Sequence, residues 1–125
     1  MTEIFVFGSN RAGFHGRGAA KEALDQHGAI MGQGEGLQGN SYAIPTKGYI
    51  NSLTGRFSRL QLWEIEAHVA AFKMFAASRP DLTFRVTKIG CGYAGYTFKQ
   101  IAPMFKGSQP NVKLPIEFQQ VIGGF

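Results

Sequence analysis

The residues that most clearly suggest chemistry lie in the segment Gly8–Ala20, where glycines alternate with basic side chains. It contains Gly13, Gly16 and Gly18, together with Arg11 and Arg17, and no acidic residue. Glycine adopts positive φ without strain and lets a ligand approach the backbone closely, because it has no Cβ. A helix-type run follows the segment. The first turn of that helix would offer free N–H groups and the positive end of its dipole, which suits phosphate or pyrophosphate.

Two further segments match the dinucleotide pattern G-x-G-x-x-G. Gly34–Gly39 precedes a predicted strand rather than a helix, so we interpret it as a surface loop in preference to a phosphate site. Gly90–Gly95 follows a predicted strand and leads into a predicted helix, and we expect it to contact phosphate. Only about 30 residues follow this loop. That remainder is too short for the several βα units of a Rossmann domain.

The elements that must position these loops alternate between strands and helices, which indicates an α/β fold with a mainly parallel sheet between helices. Strands are predicted at Glu3–Phe7, Ser41–Pro45, Leu82–Ile89 and Asn111–Pro115, and helices at Ala19–His27, Leu60–Ser78 and Thr97–Phe105. Thr46–Arg59 is predicted to be an irregular connection. We assign no structure to the tail after Pro115, and no role to the loop Gly32–Gly39. The whole chain, residues 1–125, is predicted to form one domain.

The order of these elements predicts where a ligand would bind. Ligands of open α/β sheets bind beyond the carboxyl ends of the parallel strands. The loops after Phe7, Pro45 and Ile89 would lie at that edge, so both glycine loops and Lys47 would meet in one crevice. Arg56 and Arg59 are also close in sequence, and they extend a basic mouth that attracts anions. Such a crevice suits a ligand with two phosphates or a nucleotide-like body.

Composition narrows the classes of protein. The chain carries a formal charge of +5, and 44% of its residues are hydrophobic. Basic residues are scattered singly, whereas nucleic-acid binders usually cluster them. We find no membrane-span pattern and no signal-peptide pattern, and the single cysteine favours a reducing, cytoplasmic setting. Three scattered histidines argue against a metal site, and no cofactor is expected.

Three smaller candidates each have two readings. Asn10 could bind a ribose hydroxyl or cap the turn after the first strand. His15 could donate to a phosphate or act on a ribose hydroxyl, and it could equally be a turn histidine exposed to water. Cys91 could have its pKa lowered by the helix start nearby, although a small residue filling a tight loop is favoured. Among the aromatic residues, any of four could stack on adenine: Phe14, Phe57, Tyr93 and Tyr96.

Three motifs together resemble a known family. They are Gly16–Ala20 (GRGAA), Tyr42–Lys47 (YAIPTK) and Lys88–Tyr96 (KIGCGYAGY). Their order and spacing are similar to those of the macrodomain superfamily over residues 4–106, and most similar to the branch of the terminal ADP-ribose protein glycohydrolase. The resemblance implies a three-layer α/β/α sandwich, macrodomain-like, with a mainly parallel mixed sheet that binds ADP-ribose.

The resemblance also implies roles for individual residues. Lys47 matches the lysine that attacks the anomeric carbon of the distal ribose, and a lysine needs a lowered pKa for such a role. The family's catalytic aspartate matches Ala94, so we favour binding over hydrolysis. The expected ligand-binding residues are Asn10, Arg11, Gly13, His15, Gly16, Gly18, Ala19, Gly90, Cys91, Gly92, Tyr93, Ala94, Gly95 and Tyr96.

The expected function is therefore binding of ADP-ribose or a related NAD-derived nucleotide, with three other uses left open. One is hydrolysis through Lys47 of ADP-ribose from a carboxylate side chain or a nucleobase, on an ADP-ribosylated protein or nucleic acid. Another is a non-enzymatic basic module that binds nucleic acid, whose affinity would fall steeply with salt. A third is sequestration of a signalling nucleotide. No membrane partner is expected.

Overall fold

A computed structural model describes residues 2–123 of the chain. Its strands are β1 (Thr2–Asn10), β2 (Gly36–Gln38), β3 (Ser41–Ile50), β4 (Phe57–Arg59), β5 (Leu82–Val86) and β6 (Val112–Lys113). Its helices are α1 (Gly18–Gln26), α2 (Leu62–Ser78), α3 (Phe98–Ile101) and α4 (Ile116–Gly123), and a 3-10 turn, Ala102–Phe105, follows α3.

The strands form one mixed sheet in the order β2-β3-β1-β5-β6, and β4 pairs with β3 as well. The pairs β3–β1, β1–β5 and β5–β6 are parallel, whereas β2 and β4 both run antiparallel to β3. β1 is thus central, with four consecutive buried residues, Ile4–Phe7. Strands covered on both faces are apolar without alternation, which explains this run.

Helices cover both faces of the sheet. On one face, α1 packs Ala20 and Ala23 against Phe5, Phe7 and Ala43. On the other face, a larger core includes Ile65, Val69, Phe72 and Ala76 of α2, and extends to Ile101, Phe105 and Phe118 near the C-terminal helices. Successive residues of a strand point to opposite faces, so Ile4 and Val6 join the second core while Phe5 and Phe7 join the first. The predicted three-layer α/β/α sandwich with a mainly parallel mixed sheet is confirmed.

The prediction for residues 41–59 is wrong in two respects. β3 does not end at Pro45 but continues to Ile50, and β4 returns antiparallel beside it to form a hairpin. Proline cannot donate to a ladder and is confined in sheets to edges and bulges. Here the register between β1 and β3 shifts immediately after Pro45, which accommodates the missing N–H. The hairpin turn closes through Asn51, whose N–H donates to the carbonyl of Arg56 at 2.7 Å.

The C-terminal third also differs in detail. β5 ends at Val86 rather than Ile89, and the predicted helix over residues 97–105 is one short α-helix followed by a 3-10 turn. Pro103 lies in this turn, and its lack of an N–H prevents a continuous α-helix. The unassigned tail forms α4 up to Gly123, and the last two residues of the tail lie outside the described part. No helix within residues 2–123 combines the length and apolar character needed to cross a bilayer.

Candidate functional site

The carboxyl ends of the parallel strands bring the two glycine loops together, as predicted. A methyl group placed on Gly18 would lie 3.1 Å from the ring of Tyr93, so the start of α1 faces the second loop. At the floor of the crevice, a methyl group on Gly8 would lie 3.6 Å from the backbone nitrogen of Gly90. The backbone N–H of Arg11 donates to the carbonyl of Lys47 at 2.9 Å, which attaches the first loop to β3.

The N-terminus of α1 has unused hydrogen-bond donors. Arg17 is its N-cap residue and makes no side-chain cap, and the first turn has no acidic side chain. Lys21 is the first residue whose N–H bonds back, to the carbonyl of Arg17 at 3.2 Å. Among the described residues, the N–H groups of Gly18, Ala19 and Ala20 have no partner. An uncapped helix start of this kind favours an anion.

The loop Gly90–Gly95 also has unpaired backbone donors, and Tyr96 and Thr97 separate it from α3. Its conformation is fixed by bonds from Gly95 N–H to Gly92 O at 3.0 Å and from Tyr96 N–H to Gly90 O at 2.9 Å. Within residues 2–123, the N–H groups of Gly92, Tyr93 and Ala94 remain without a partner. The helix predicted from Thr97 is present, since α3 begins at Phe98 and its N-cap residue Thr97 closes a capping box there. Anion binding at this loop would therefore use loop N–H groups rather than a helix dipole.

Lys47 and Arg59 lie directly opposite each other in the β3–β4 hairpin. Directly opposed residues of an antiparallel pair point to the same face, with Cβ atoms about 5 Å apart. The Arg59 guanidinium lies 4.2 Å from the centre of the Tyr96 ring, and its Nη1 donates to Ala94 O at 3.4 Å. This contact directs Arg59 to the second glycine loop. Two like charges in this position destabilise a free protein, and a bound anion would relieve that repulsion.

The ion pairs of the protein leave several of its cations without a carboxylate partner. Seven of the eight acidic side chains of the chain contact a basic or histidine side chain. Within the described part, four of the cations predicted for the basic mouth have no carboxylate partner: Arg17, Lys47, Arg56 and Arg59. The same holds for four other lysines, Lys73, Lys99, Lys106 and Lys113. Arg11 differs, because it pairs with Glu64 at 3.2 Å. The basic mouth is therefore smaller by one free charge than the sequence suggested.

His15 is not where either reading of the sequence placed it. Its ring is completely buried and packs edge-on against Phe7, with ring centres 5.2 Å apart. Nε2 lies 3.0 Å from the carbonyl of Gln33 and 3.2 Å from Oε1 of Gln38. Both neighbours are acceptors, so Nε2 carries the proton, and Nδ1 has no partner among the described residues. The expectations that His15 donates to a phosphate and that it is exposed to water are both wrong. The buried ring instead attaches the first glycine loop to the segment Gly32–Gly39.

The segment Gly32–Gly39 provides most of this support. The Ser9 hydroxyl donates to Gly34 O, and Gly32 N–H donates to Gly13 O at 2.8 Å. Gly13 has φ +73°, and a Cβ there would lie 2.4 Å from the Gln33 nitrogen. The segment therefore packs against the first glycine loop and includes β2, rather than forming a plain surface loop. Its glycines permit this close backbone packing.

Asn10 and Cys91 have structural roles. Asn10 Nδ2 donates to Phe14 O and Oδ1 accepts from Phe14 N–H, both at 2.9 Å, which closes the first loop and confirms the turn-capping alternative. Burial raises the pKa of the Cys91 thiol to about 11, although the nearby Lys88 acts in the opposite direction. The idea that a helix start lowers this pKa is wrong. Cys91 is half-buried and packs against the larger core.

The four aromatic candidates separate into available and occupied rings. Phe14 is 56% exposed and stacks on Phe57, with ring centres 6.2 Å apart. Tyr93 is 65% exposed, and Arg17 lies 5.8 Å from its ring centre. Tyr96 is buried, donates to Leu60 O at 2.5 Å and is stacked by Arg59. Phe14, Phe57 and Tyr93 can therefore contact a ligand ring, whereas Tyr96 positions Arg59.

Gly16 and Ala94 complete the expected set. A Cβ on Gly16 would lie 2.5 Å from the Phe14 ring, so the absence of a side chain at Gly16 allows that ring to lie across the loop. Ala94 is buried and offers only its backbone.

A separate cavity of about 280 Å³ lies at the C-terminal end of α2 and is lined by Ala76, Pro80 and Asn111 among others. Its lining residues do not belong to the glycine loops.

Comparisons with known proteins establish a fold relationship. No family model matches the chain, and no curated protein does. A protein of unknown function from Bacteroides thetaiotaomicron has a similar solved structure, with a TM-score of 0.59 at 12% identity over 90% of this chain and 85% of that one. A second solved structure from that organism gives a TM-score of 0.59 at 14% identity over 90% and 88%. At these identities the similarity concerns the fold alone.

Proposed function

We propose that this protein binds ADP-ribose or a related NAD-derived nucleotide at the crevice between its two glycine loops. The observation that carries the proposal is the pair Lys47–Arg59 beside two stretches of backbone N–H groups. Among the described residues, the two opposed cations contact no carboxylate and those N–H groups have no partner. Fixed donors and cations together suit a diphosphate. The exposed rings of Phe14 and Tyr93 at the rim suit a base or a ribose face.

The resemblance of the three motifs to macrodomains supports the same ligand. Under that resemblance, Gly16–Ala20 and Gly90–Gly95 hold the pyrophosphate and distal ribose, and Lys47 lies next to the anomeric carbon. Ala94 supplies no carboxylate at the position of the family's aspartate. We therefore propose that the protein binds ADP-ribose without cleaving it, either to recognise ADP-ribosylated molecules or to sequester a signalling nucleotide.

A thermal-shift screen against ADP-ribose, NAD, AMP and short oligonucleotides tests this proposal. Because ligand bound to the native state raises the apparent stability, ADP-ribose and NAD should raise Tm more than AMP, which lacks the second phosphate. The absence of any shift with millimolar ADP-ribose would overturn the proposal. A shift with oligonucleotides alone that falls steeply with salt would favour the nucleic-acid module instead.

Turnover is tested separately with ADP-ribosylated protein and ADP-ribosylated oligonucleotide. We expect no release of ADP-ribose by the wild-type protein. If release occurs and Lys47→Ala abolishes it while ADP-ribose still binds, the protein is a glycohydrolase that uses Lys47 as its nucleophile.

A further inference from the structure

The outer face of α2 is an unusual surface for a helix on the outside of a sandwich. The inner face of α2 packs its apolar residues into the larger core. The outer face is also mostly apolar, with Trp63 73% exposed and Met74 76% exposed. A helix that is apolar on every side is normally buried on every side. The outer face of α2 therefore lacks a partner within the described part of the chain.

The exposed apolar residues follow a heptad spacing. They are Trp63, Ala67, Ala70, Met74 and Ala77, separated alternately by four and three residues, and all five are exposed. This spacing produces a continuous seam along one side of a helix, suited to packing against another helix. We call these five residues the α2 seam. Alanines in its centre allow two helix backbones to approach closely.

The α2 seam is complementary to itself in the antiparallel direction. About a point midway between Ala67 and Ala70, its order reads large, small, small, large. A two-fold axis through that point would set Trp63 of one copy against Met74 of the other, and Ala67 against Ala70. Sulfur–aromatic contacts of this kind are favourable. A surface that matches itself about an axis is what a symmetric dimer requires.

Charges beside the seam fit the same arrangement. Glu66 is exposed, and it is the one acidic side chain of residues 2–123 that makes no ion pair. Lys73 lies seven residues further on and donates to the carbonyls of Met104 and Lys106, and it contacts no carboxylate within residues 2–123. In the antiparallel arrangement, Glu66 of each copy lies next to Lys73 of the other. In a parallel arrangement, Glu66 would instead face Ala71 of the other copy and Lys73 would face Ser78, so neither charge would be paired.

We infer that the protein forms a two-fold symmetric homodimer in which the α2 seams pack antiparallel. A face on one helix of 17 residues is smaller than the roughly 800 Å² per partner of a stable interface, so the dimer should be weak, with a Kd in the micromolar range or above, and should dissociate on dilution. This inference does not rest on the proposed ligand, because the seam belongs to α2 and shares no residue with either glycine loop.

Sedimentation equilibrium between about 1 and 500 μM, with reductant present, tests the dimer. We expect a reversible monomer–dimer equilibrium in the wild-type protein. Ala70→Glu places two carboxylates at the axis and should abolish the dimer, and Glu66→Lys should weaken it several-fold. Lys113→Glu, on β6, is the control and should leave it unchanged. A monomer at every concentration, or a dimer that survives Ala70→Glu with unchanged affinity, would overturn the inference. Circular dichroism confirms that each variant is folded.

The direction of packing is tested with spin labels on Ser78→Cys in a Cys91→Ser background. Ser78 ends α2 and lies about 14 Å along the axis from the midpoint of the seam, at 1.5 Å per residue. The antiparallel dimer therefore predicts label positions about 30 Å apart. A separation close to the 8–10 Å between packed helices would indicate parallel packing and would contradict the arrangement.

Discussion

Replacing Lys47 by methionine should stabilise the free protein and weaken its ligand binding. Lys47 and Arg59 are opposed in the hairpin, and within the described residues neither contacts a carboxylate. Two unit charges as close as the two Cβ atoms, about 5 Å apart, would repel by roughly 0.5–1 kcal/mol in a high-dielectric surface environment, which is the upper bound for these long side chains. Methionine retains the packing of the lysine stem but removes the charge. The free energy of unfolding should therefore rise by up to that amount at low salt, and by less at high salt.

The same substitution should reduce affinity for ADP-ribose. A hydrogen bond to a charged group contributes about 1.5–3 kcal/mol, which corresponds to roughly 10–100-fold in Kd. Urea unfolding measures the first effect and calorimetric titration the second. Lys113→Met on β6 makes the same chemical change away from the glycine loops and should alter neither quantity appreciably. A Lys47→Met protein that is less stable than wild type, or that binds ADP-ribose equally well, would refute the argument from opposed charges.

Three further substitutions or reactions test individual contacts. His15→Ala removes a fully buried ring and its hydrogen bonds and should cost about 3 kcal/mol in urea unfolding, whereas a loss below about 1 kcal/mol would contradict its burial. With its pKa raised to about 11, the Cys91 thiol should react with iodoacetamide at pH 8 roughly 100-fold more slowly than free cysteine. The rate should rise tenfold per pH unit as the thiolate forms, and a plateau near pH 9 would contradict the raised pKa. Gly13→Ala should lower Tm strongly, because the added Cβ would lie 2.4 Å from the Gln33 nitrogen. Gly92→Ala, with open space around the added Cβ, should leave Tm unchanged. Similar changes in Tm for the two variants would argue against tight packing at Gly13.

The sequence predicted elements well where the local pattern agreed with the packing. The spacing of Ile65, Val69, Phe72 and Ala76 predicted α2 to within two residues at its start, because these side chains all enter the core. The alternation of strands and helices likewise predicted the three layers, because the helices pack their apolar side chains against the sheet. Pro45 led to a wrong prediction for the end of β3, because a proline normally marks the end of a strand. Its position at a register shift depends on pairing with β1, which no local pattern reveals.

Contacts distant in sequence determine the parts of the site that the sequence did not reveal. His15 is buried because Gln33 and Gln38, 18 and 23 residues further along the chain, accept from its ring. The opposition of Lys47 and Arg59 was missed because residues 46–59 were expected to be irregular, and a three-residue strand is too short to show alternation. The convergence of the two glycine loops was nevertheless predictable, since it follows from parallel strands alone.

Mapping of ADP-ribose binding by two-dimensional amide NMR tests the central claim most directly. The account predicts saturable shifts at the unpaired N–H groups of Gly18–Ala20 and Gly92–Ala94, and at Lys47, with little change at β6 or α4. Because these N–H groups have no partner in the free protein, a bound diphosphate should move their proton resonances downfield. The absence of shifts at millimolar ADP-ribose, or shifts confined to residues away from both glycine loops, would contradict the account.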